Sequence, residues 1–359
     1  MIKEDETKNL ILYFIYFDLQ RMNMNRILIV NANWLGDVLF STPAIRAIRK
    51  KYPNSFMACL APARVKNILL NNPHLNEVIT YDDRVNFISV REIVRVVNQI
   101  RKRKLDSAIF FHRSKTKVLL AMLAGIQQRI GFEAPFRRKL LTQGVRMPQE
   151  GLHRIDTYLY LLEQAGIPSD GRHMEFYPDP QAQETLWEKV ERPDRYVVLH
   201  VGGNWPLKRW PVDYFVQWTC LWLKEFRGKI VLCGTEAEAD IAQQIQSHFS
   251  KEEVVSLCGK TSLDELGWLL KKAEFLLSND SGPIHLAATQ KTKILGLFGP
   301  TSPELTGPVS LAPMRIIWKD VGCEIPCYFR SCHYRVCMEW LTPQEVFEQA
   351  RALCNPSVS

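Results

Sequence analysis

A chain of 359 residues, 46% of them hydrophobic, is long enough for two domains of ordinary size with a core each. Its longest strongly apolar early run, residues 10–17, falls well short of the roughly 20 residues that span a bilayer, and it lacks the basic lead and small-residue cleavage site of a secretory signal. The formal charge of +8 is uneven: residues 1–175 hold 27 Lys and Arg against 16 Asp and Glu, a net of +11, which leaves −3 for the rest.

Residues 1–23 are expected to be an upstream mis-start or a disordered extension, because Met24-Asn25-Arg26 stands directly before the strand-type run ILIV. The alternative is a short amphipathic helix on a membrane surface. The first half then alternates: strand RILIVNA, a helix over 41–51, strand FMACLAP, a helix over 63–71, strand EVITYD, a helix over 88–102 and strand SAIFFH. Helices follow over 115–124 and 155–165. GIPSDGRH and YPDPQ mark a boundary near residues 167–181, rich in Pro, Gly and Asp. Beyond it come a helix over 181–190, strand YVVLHVG, a helix over 213–226, strand KIVLCG, a helix over 236–249, strand VVSLCG, a helix over 263–271, strand EFLLS, a helix over 283–289 and strand KILGLFG. This rhythm predicts an α/β chain of two doubly wound, Rossmann-like domains, 24–175 and 176–340, with a C-terminal helix and tail over 341–359. Open parallel sheets bind ligands beyond the carboxyl ends of their strands, so the functional loops should gather in a cleft between the domains.

Those strand ends carry the chemistry. Neither first loop holds G-x-G-x-x-G, and no G-x-x-x-x-G-K-[ST] occurs, so a nicotinamide, a flavin or any other cofactor is not expected. In residues 276–308 an apolar strand runs into Asp280, Ser281, Gly282 and His285 at a helix start, where free backbone N–H groups suit the oxygens of a diphosphate. An ordinary Asp/Ser-capped crossover helix fits the same residues. After the first strand, Gly36 permits a tight turn and Asp37 is the only acid between Asp18 and Glu77. It suits a base that takes a hydroxyl proton, or a helix cap. After YVVLHVG, Gly202 and Gly203 allow close approach to a ligand beside Lys208 and Arg209, and Glu236 stands where a carboxylate could accept both hydroxyls of a ribose. A rigid Trp/Pro loop and a first-turn acid favoured by the helix dipole are the plainer readings.

The basic amino-terminal half should face something anionic, with most of its excess in RKRK at 101–104, HRSKTK at 112–117 and FRRK at 136–139. RKRK also reads as a solvated helix face. A phosphorylated acceptor or anionic lipid headgroups fit this charge, whereas nucleic acid is not expected, since no recognition module or aromatic stacking pattern accompanies it. Nine cysteines without an export signal suggest free thiols. Cys323, Cys327, Cys332 and Cys337 cluster, with His333 among them, and their spacing leaves a structural zinc site open beside merely unpaired thiols.

Together, NWLGDVLFSTPAIRAIRKKYP, HRSKTKVLLAMLAGIQQRIGF, LHRIDTYLYLL, GGNWPLKRWP, NDSGPIHLAA and GLFGPTSPELTGP resemble, in order and spacing, the bacterial heptosyltransferases of glycosyltransferase family 9. The resemblance covers Met24 to about residue 350. It implies the two-domain GT-B architecture and metal-independent, inverting transfer of L-glycero-D-manno-heptose from ADP-heptose to the inner core of lipopolysaccharide, at the cytoplasmic face of the inner membrane. By position it implies Asp37 as base, Lys208 on the donor phosphates, Glu236 on the ribose, Asp280 on the donor sugar, and Ser281 and Gly282 on the diphosphate. Asn204, Gly203, Thr261 and His285 would line the donor site, while Arg113 and Lys115 would meet the acceptor. Domain closure should then assemble the site. A family member that uses another nucleotide sugar, and a non-catalytic scaffold on the same fold, are the rival expectations.

Overall fold

The computed structural model describes residues 24–83, 89–149, 151–327, 329 and 331–354, so the expectation for residues 1–23 lies outside the described residues. The chain divides between Arg172 and His173 into two compact units.

The first unit holds β1 (Arg26–Val30), α1 (Leu35–Phe40), α2 (Thr42–Lys51), β2 (Phe56–Pro62), β3 (Glu77–Tyr81), α3 (Val90–Lys102), β4 (Ser107–Phe110), α4 (Lys115–Leu123), β5 (Gln128–Phe132), β6 (Gln143–Val145) and α5 (Arg154–Gln164). Its six strands run parallel in the order β3-β2-β1-β4-β5-β6. β1 is central because it is apolar on both faces: Ile27, Leu28, Ile29 and Val30 are all fully buried. Each such side chain contributes about 1.5–3 kcal/mol of burial. α3 and α4 start on serine caps, Ser89 accepting from Glu92 N–H and Ser114 from Lys117 N–H.

Two expected helices differ in the structure. The one expected over 41–51 is preceded by a second, α1, because the hydroxyls of Ser41 and Thr42 bond back to the carbonyls of Val38 and Leu39 and break the run at Ser41. The stretch after β2 is a 3₁₀ turn, Ala63–Ile68. β5 and β6 were not expected, since QRIGF and QGV lack a sustained apolar run and sit toward the edge of the sheet.

The second unit holds α6 (Gln181–Lys189), β7 (Tyr196–His200), α7 (Val212–Glu225), β8 (Lys229–Cys233), α8 (Ala239–Gln246), β9 (Val254–Ser256), α9 (Leu263–Lys272), β10 (Leu276–Asn279), α10 (Gly282–Thr289), β11 (Ile294–Leu297), α11 (Pro303–Thr306), β12 (Met314–Ile317), α12 (Val336–Glu339) and α13 (Pro343–Cys354). Its parallel sheet has the order β12-β11-β10-β7-β8-β9, with the edge strand β12 another addition to the expected set. An aromatic core of Trp210, Phe215, Trp218, Trp222 and Phe275 binds α7 to the sheet, with the indoles of Trp218 and Trp222 stacked 5.3 Å apart. α13 packs on α7, β11 and β12, so the C-terminal helix belongs to this core. Each sheet reverses its winding once, between β1 and β4 in the first unit and between β7 and β10 in the second. The crevice beyond the strands at such a reversal is where doubly wound sheets take ligands. Among the described residues no helix is long and apolar enough to cross a membrane.

Candidate active site

In the second unit the loops after β7 and β10 meet at the winding reversal. Asn279, at the end of β10, ties them together: its Nδ2 donates to the carbonyls of Val201 and Gly202, and its Oδ1 accepts from Trp210 N–H at 3.0 Å. This fixes the Gly202–Trp210 loop and so the place of Lys208. The Lys208 ammonium lies 2.6 Å from Asp280 Oδ2, which also accepts from Thr301 Oγ1 at 2.6 Å. Asp280 is buried and Lys208 about one-fifth exposed, so a cation is held at the rim of the crevice by a carboxylate beneath it.

Ser281 occupies the cap position of α10, yet its hydroxyl goes to His200 Nδ1 at 2.9 Å and makes no cap bond. The helix start is therefore uncapped by its own side chain, and Gly282 leads it. Burial pushes His200 down to about 4, which keeps the ring neutral, while the Glu238 charge pulls the other way. His285 is buried in α10 behind this turn.

The structure separates two nearby acids. Glu236 is exposed on a 3₁₀ turn, Glu236–Glu238, and Gly259 at φ +72° makes room for it, since a Cβ there would come within 2.0 Å of the Glu236 carboxylate. Glu238 is the buried one. Burial alone would raise its pKa, but hydrogen bonds from the Thr235 hydroxyl and N–H outweigh that and hold it below the usual carboxylate range. A Cβ on Gly202 would approach its Cγ to 2.2 Å, so Glu238 fills the space under the glycine loop. Sequence reading passed over Glu238. The signal was there as Thr235-x-x-Glu238, a capping box, which the structure forms in full. Gly203 is buried at φ +153°, Asn204 is exposed beside it, and Thr261 is half-buried in the loop after β9.

In the first unit Asp37 sits in the first turn of α1, half-buried, with Arg154 Nε of α5 3.3 Å from its Oδ1. Across the winding reversal, Lys117 of α4 is buried and reaches back to the loop after β1, donating to Asn33 Oδ1 at 2.8 Å and to the Asn31 carbonyl at 3.3 Å. Burial pushes its ammonium down to about 7. The cationic runs are thus not uniformly on the surface. Arg137 of FRRK is also fully buried, bonded to the carbonyls of Phe132 and His112, whereas Arg113 and Lys115 are exposed and the Lys115 ammonium lies 4.9 Å over the Phe136 ring. RKRK closes α3 with Arg101 and Lys102 in solvent, and Arg103 pairs with Glu77.

Among the described residues no three His, Cys, Asp or Glu side chains are arranged to hold a metal ion. Cys323 and Cys332 are exposed while Cys327 and Cys337 are partly buried, and burial together with the three neighbouring thiols pushes the Cys337 thiol up.

The family model described as glycosyltransferase family 9 (heptosyltransferase) matches residues 93–334. Lipopolysaccharide heptosyltransferase 2 of Escherichia coli K12 is 26% identical over 348 residues, 91% of this chain and 98% of that protein. The structure of E. coli ADP-heptose lps heptosyltransferase II is similar with a TM-score of 0.78 at 23% identity, over 93% of this chain and all of that one. E. coli heptosyltransferase WaaC with ADP is similar with a TM-score of 0.71 at 18% identity, over 91% and 99%. The last two likenesses place the paired doubly wound sheets in the GT-B fold class. With the family model matching well over half its length, the chain belongs to glycosyltransferase family 9.

Proposed function

We propose that the protein is an inverting, metal-independent glycosyltransferase that moves L-glycero-D-manno-heptose from ADP-heptose to the inner core of lipopolysaccharide. The observation that carries this reading is the Lys208–Asp280 pair beside the uncapped start of α10, at the winding reversal of the second unit, in a chain whose relatives are named for lipopolysaccharide heptosyl transfer. An acceptor hydroxyl attacks the anomeric carbon, the carbon–oxygen bond to ADP breaks on the opposite face, and the electron pair leaves with the diphosphate. Asp37 takes the hydroxyl proton. Lys208 and the N–H of Gly282 stabilise the charge that develops on the diphosphate, a fixed positive field of the kind a divalent ion supplies in other enzymes. Asp280 turns from Lys208 to the donor sugar, and Glu236 takes the ribose hydroxyls, with Gly203, Asn204, Thr261, Ser281 and His285 lining the donor.

Arg113 and Lys115 are offered to a phosphorylated acceptor. A broader face supports a peripheral seat on the cytoplasmic side of the inner membrane: Val90 and Val94 of α3 and Leu119, Met122 and Leu123 of α4 are exposed beside Arg91, Arg101 and Lys102. Residues 89–125 hold nine Lys and Arg against two acids, a charge that suits anionic headgroups. The protein should float with anionic and not with neutral liposomes, and flotation without that preference would remove the membrane from the reading.

The test of the function is radiolabelled ADP-heptose offered with core-truncated lipopolysaccharides. Label transfer to an acceptor that lacks its outer inner-core heptose is the expected result. Transfer from GDP-mannose or a UDP-sugar in its place would replace the donor and keep the chemistry, while binding without any transfer would favour a scaffold.

A further inference from the structure

The loop after β1 carries two side chains that the reaction as described leaves without work. Asn33 Oδ1 accepts two hydrogen bonds, from the Lys117 ammonium at 2.8 Å and from the Tyr81 hydroxyl at 2.9 Å. Both donors are themselves buried, and the Lys117 ammonium lies 4.9 Å over the Tyr81 ring. Two donors on one oxygen settle which way the amide points: the oxygen faces inward, so the NH₂ faces away. Among the described residues that NH₂ has no protein partner, and Asn33 is partly exposed. The neighbour, Trp34, is 58% exposed although it is among the largest apolar side chains in the chain. The Arg64 guanidinium sits 4.6 Å over one face of its ring and pairs with Asp83 at 3.0 Å. An outward amide donor and an exposed indole next to each other match a sugar, whose hydroxyl oxygens accept hydrogen bonds and whose C–H faces lie on aromatic rings.

We propose that Asn33 and Trp34 form the acceptor-sugar subsite, the amide of Asn33 donating to a sugar oxygen and the Trp34 ring packing on the sugar, four and three residues before Asp37 in the same loop and helix. Lys117, Tyr81 and Arg64 are positioning residues that set the two groups in place. Burying an ammonium to orient an amide is costly, and it spends a cation that surface contact with an anion would otherwise use. This inference rests on the reading of Asp37 as the base beside the acceptor.

The test measures binding of a deacylated inner-core oligosaccharide from core-truncated lipopolysaccharide, with ADP binding as the control. Asn33→Asp keeps an oxygen for Lys117 and Tyr81 and exchanges the outward donor for an acceptor, so the fold survives while oligosaccharide affinity falls by about tenfold, the upper range for one neutral hydrogen bond. Trp34→Ala should lower it at least about fivefold, as for an anchoring tryptophan, with partial rescue by Trp34→Phe. Lys117→Met should raise the acceptor KM with kcat at saturating acceptor retained. ADP affinity should stay at the wild-type value in all four. Unchanged oligosaccharide affinity in Asn33→Asp and Trp34→Ala overturns the subsite and leaves the transferase reading intact. Wild-type protein that binds the oligosaccharide but transfers no heptose overturns the transferase reading, with the subsite still judged by the binding arms. Wild-type protein that binds no inner-core oligosaccharide overturns both.

Discussion

Lys208→Met separates two roles that the ligand-free structure superimposes on one ammonium. The pair it forms with Asp280 is half-buried, with side-chain exposures of 22% and 5%. Its loss should cost more than the 0–1 kcal/mol typical of a surface pair and less than the roughly 3–5 kcal/mol of a fully buried one. Thr301 still donates to the same carboxylate oxygen, and methionine keeps most of the aliphatic stem, so about 1–3 kcal/mol is expected. For a unit of this size that lowers Tm by about 2–4 °C per kcal/mol. ADP binding should suffer separately. A charge-assisted contact contributes about 1.5–3 kcal/mol, but the diphosphate must first draw Lys208 from Asp280, so the net loss sits near the lower end, about tenfold in Kd. Calorimetric titration with ADP and a thermal melt on the same preparation give both numbers. Asp280→Asn is the counterpart: it weakens the fold in the same way yet releases the ammonium, so ADP affinity should hold or rise. A lowered Tm with unchanged ADP affinity in Lys208→Met would refute the diphosphate role and leave the pair a structural one.

Asp37→Ala should lose at least about a hundredfold in turnover while ADP-heptose affinity survives, measured by radiolabel transfer and calorimetry; near-normal transfer would remove Asp37 as the base. Lys117 makes a pH prediction. Burial lowers its pKa from 10.5 to about 7, so between those values the unfolded chain holds a proton that the folded chain has released. Its contribution to stability therefore rises with pH across that window, and the burial penalty is present in full below about pH 7. Urea unfolding at about pH 6 and about pH 10 should show the stability gap between wild type and Lys117→Met shifting toward the wild type as pH rises, and a gap that ignores pH would contradict the lowering of the Lys117 pKa by burial. Gly202→Ala places a Cβ 2.2 Å from Glu238 Cγ, which forces a buried carboxylate out of its capping box. A destabilisation of about 1–3 kcal/mol by denaturant titration is expected, with weakened ADP binding as the glycine loop shifts.

The alternation of apolar runs with capped amphipathic segments was enough to read two doubly wound sheets, because the strand period, the helix period and the cap chemistry are local properties of the chain. It was enough, too, to put Asp37, Lys208, Glu236 and Asp280 at strand ends. β5, β6 and β12 escaped because strands toward the edge of a sheet need less apolar surface, and QRIGF, QGV and MRII carry little of it. Partnership was not legible at all. Lys208 and Asp280 stand 72 positions apart, and Lys117 reaches Asn33 across 84, distances over which no periodicity in sequence carries information. Charge runs misled for the same reason: Lys117 in HRSKTK and Arg137 in FRRK look like their exposed neighbours, and only the packing of β1 against β4 and the bend after β5 put them inside. The sequence by itself determined the central strands and main helices of both sheets and which side chains stand at their ends, since backbone hydrogen bonding and apolar periodicity act over a few residues. The tertiary structure decided which of those side chains are buried, which face one another and which keep an unspent donor, because desolvation and ion pairing depend on neighbours that the chain supplies from far away.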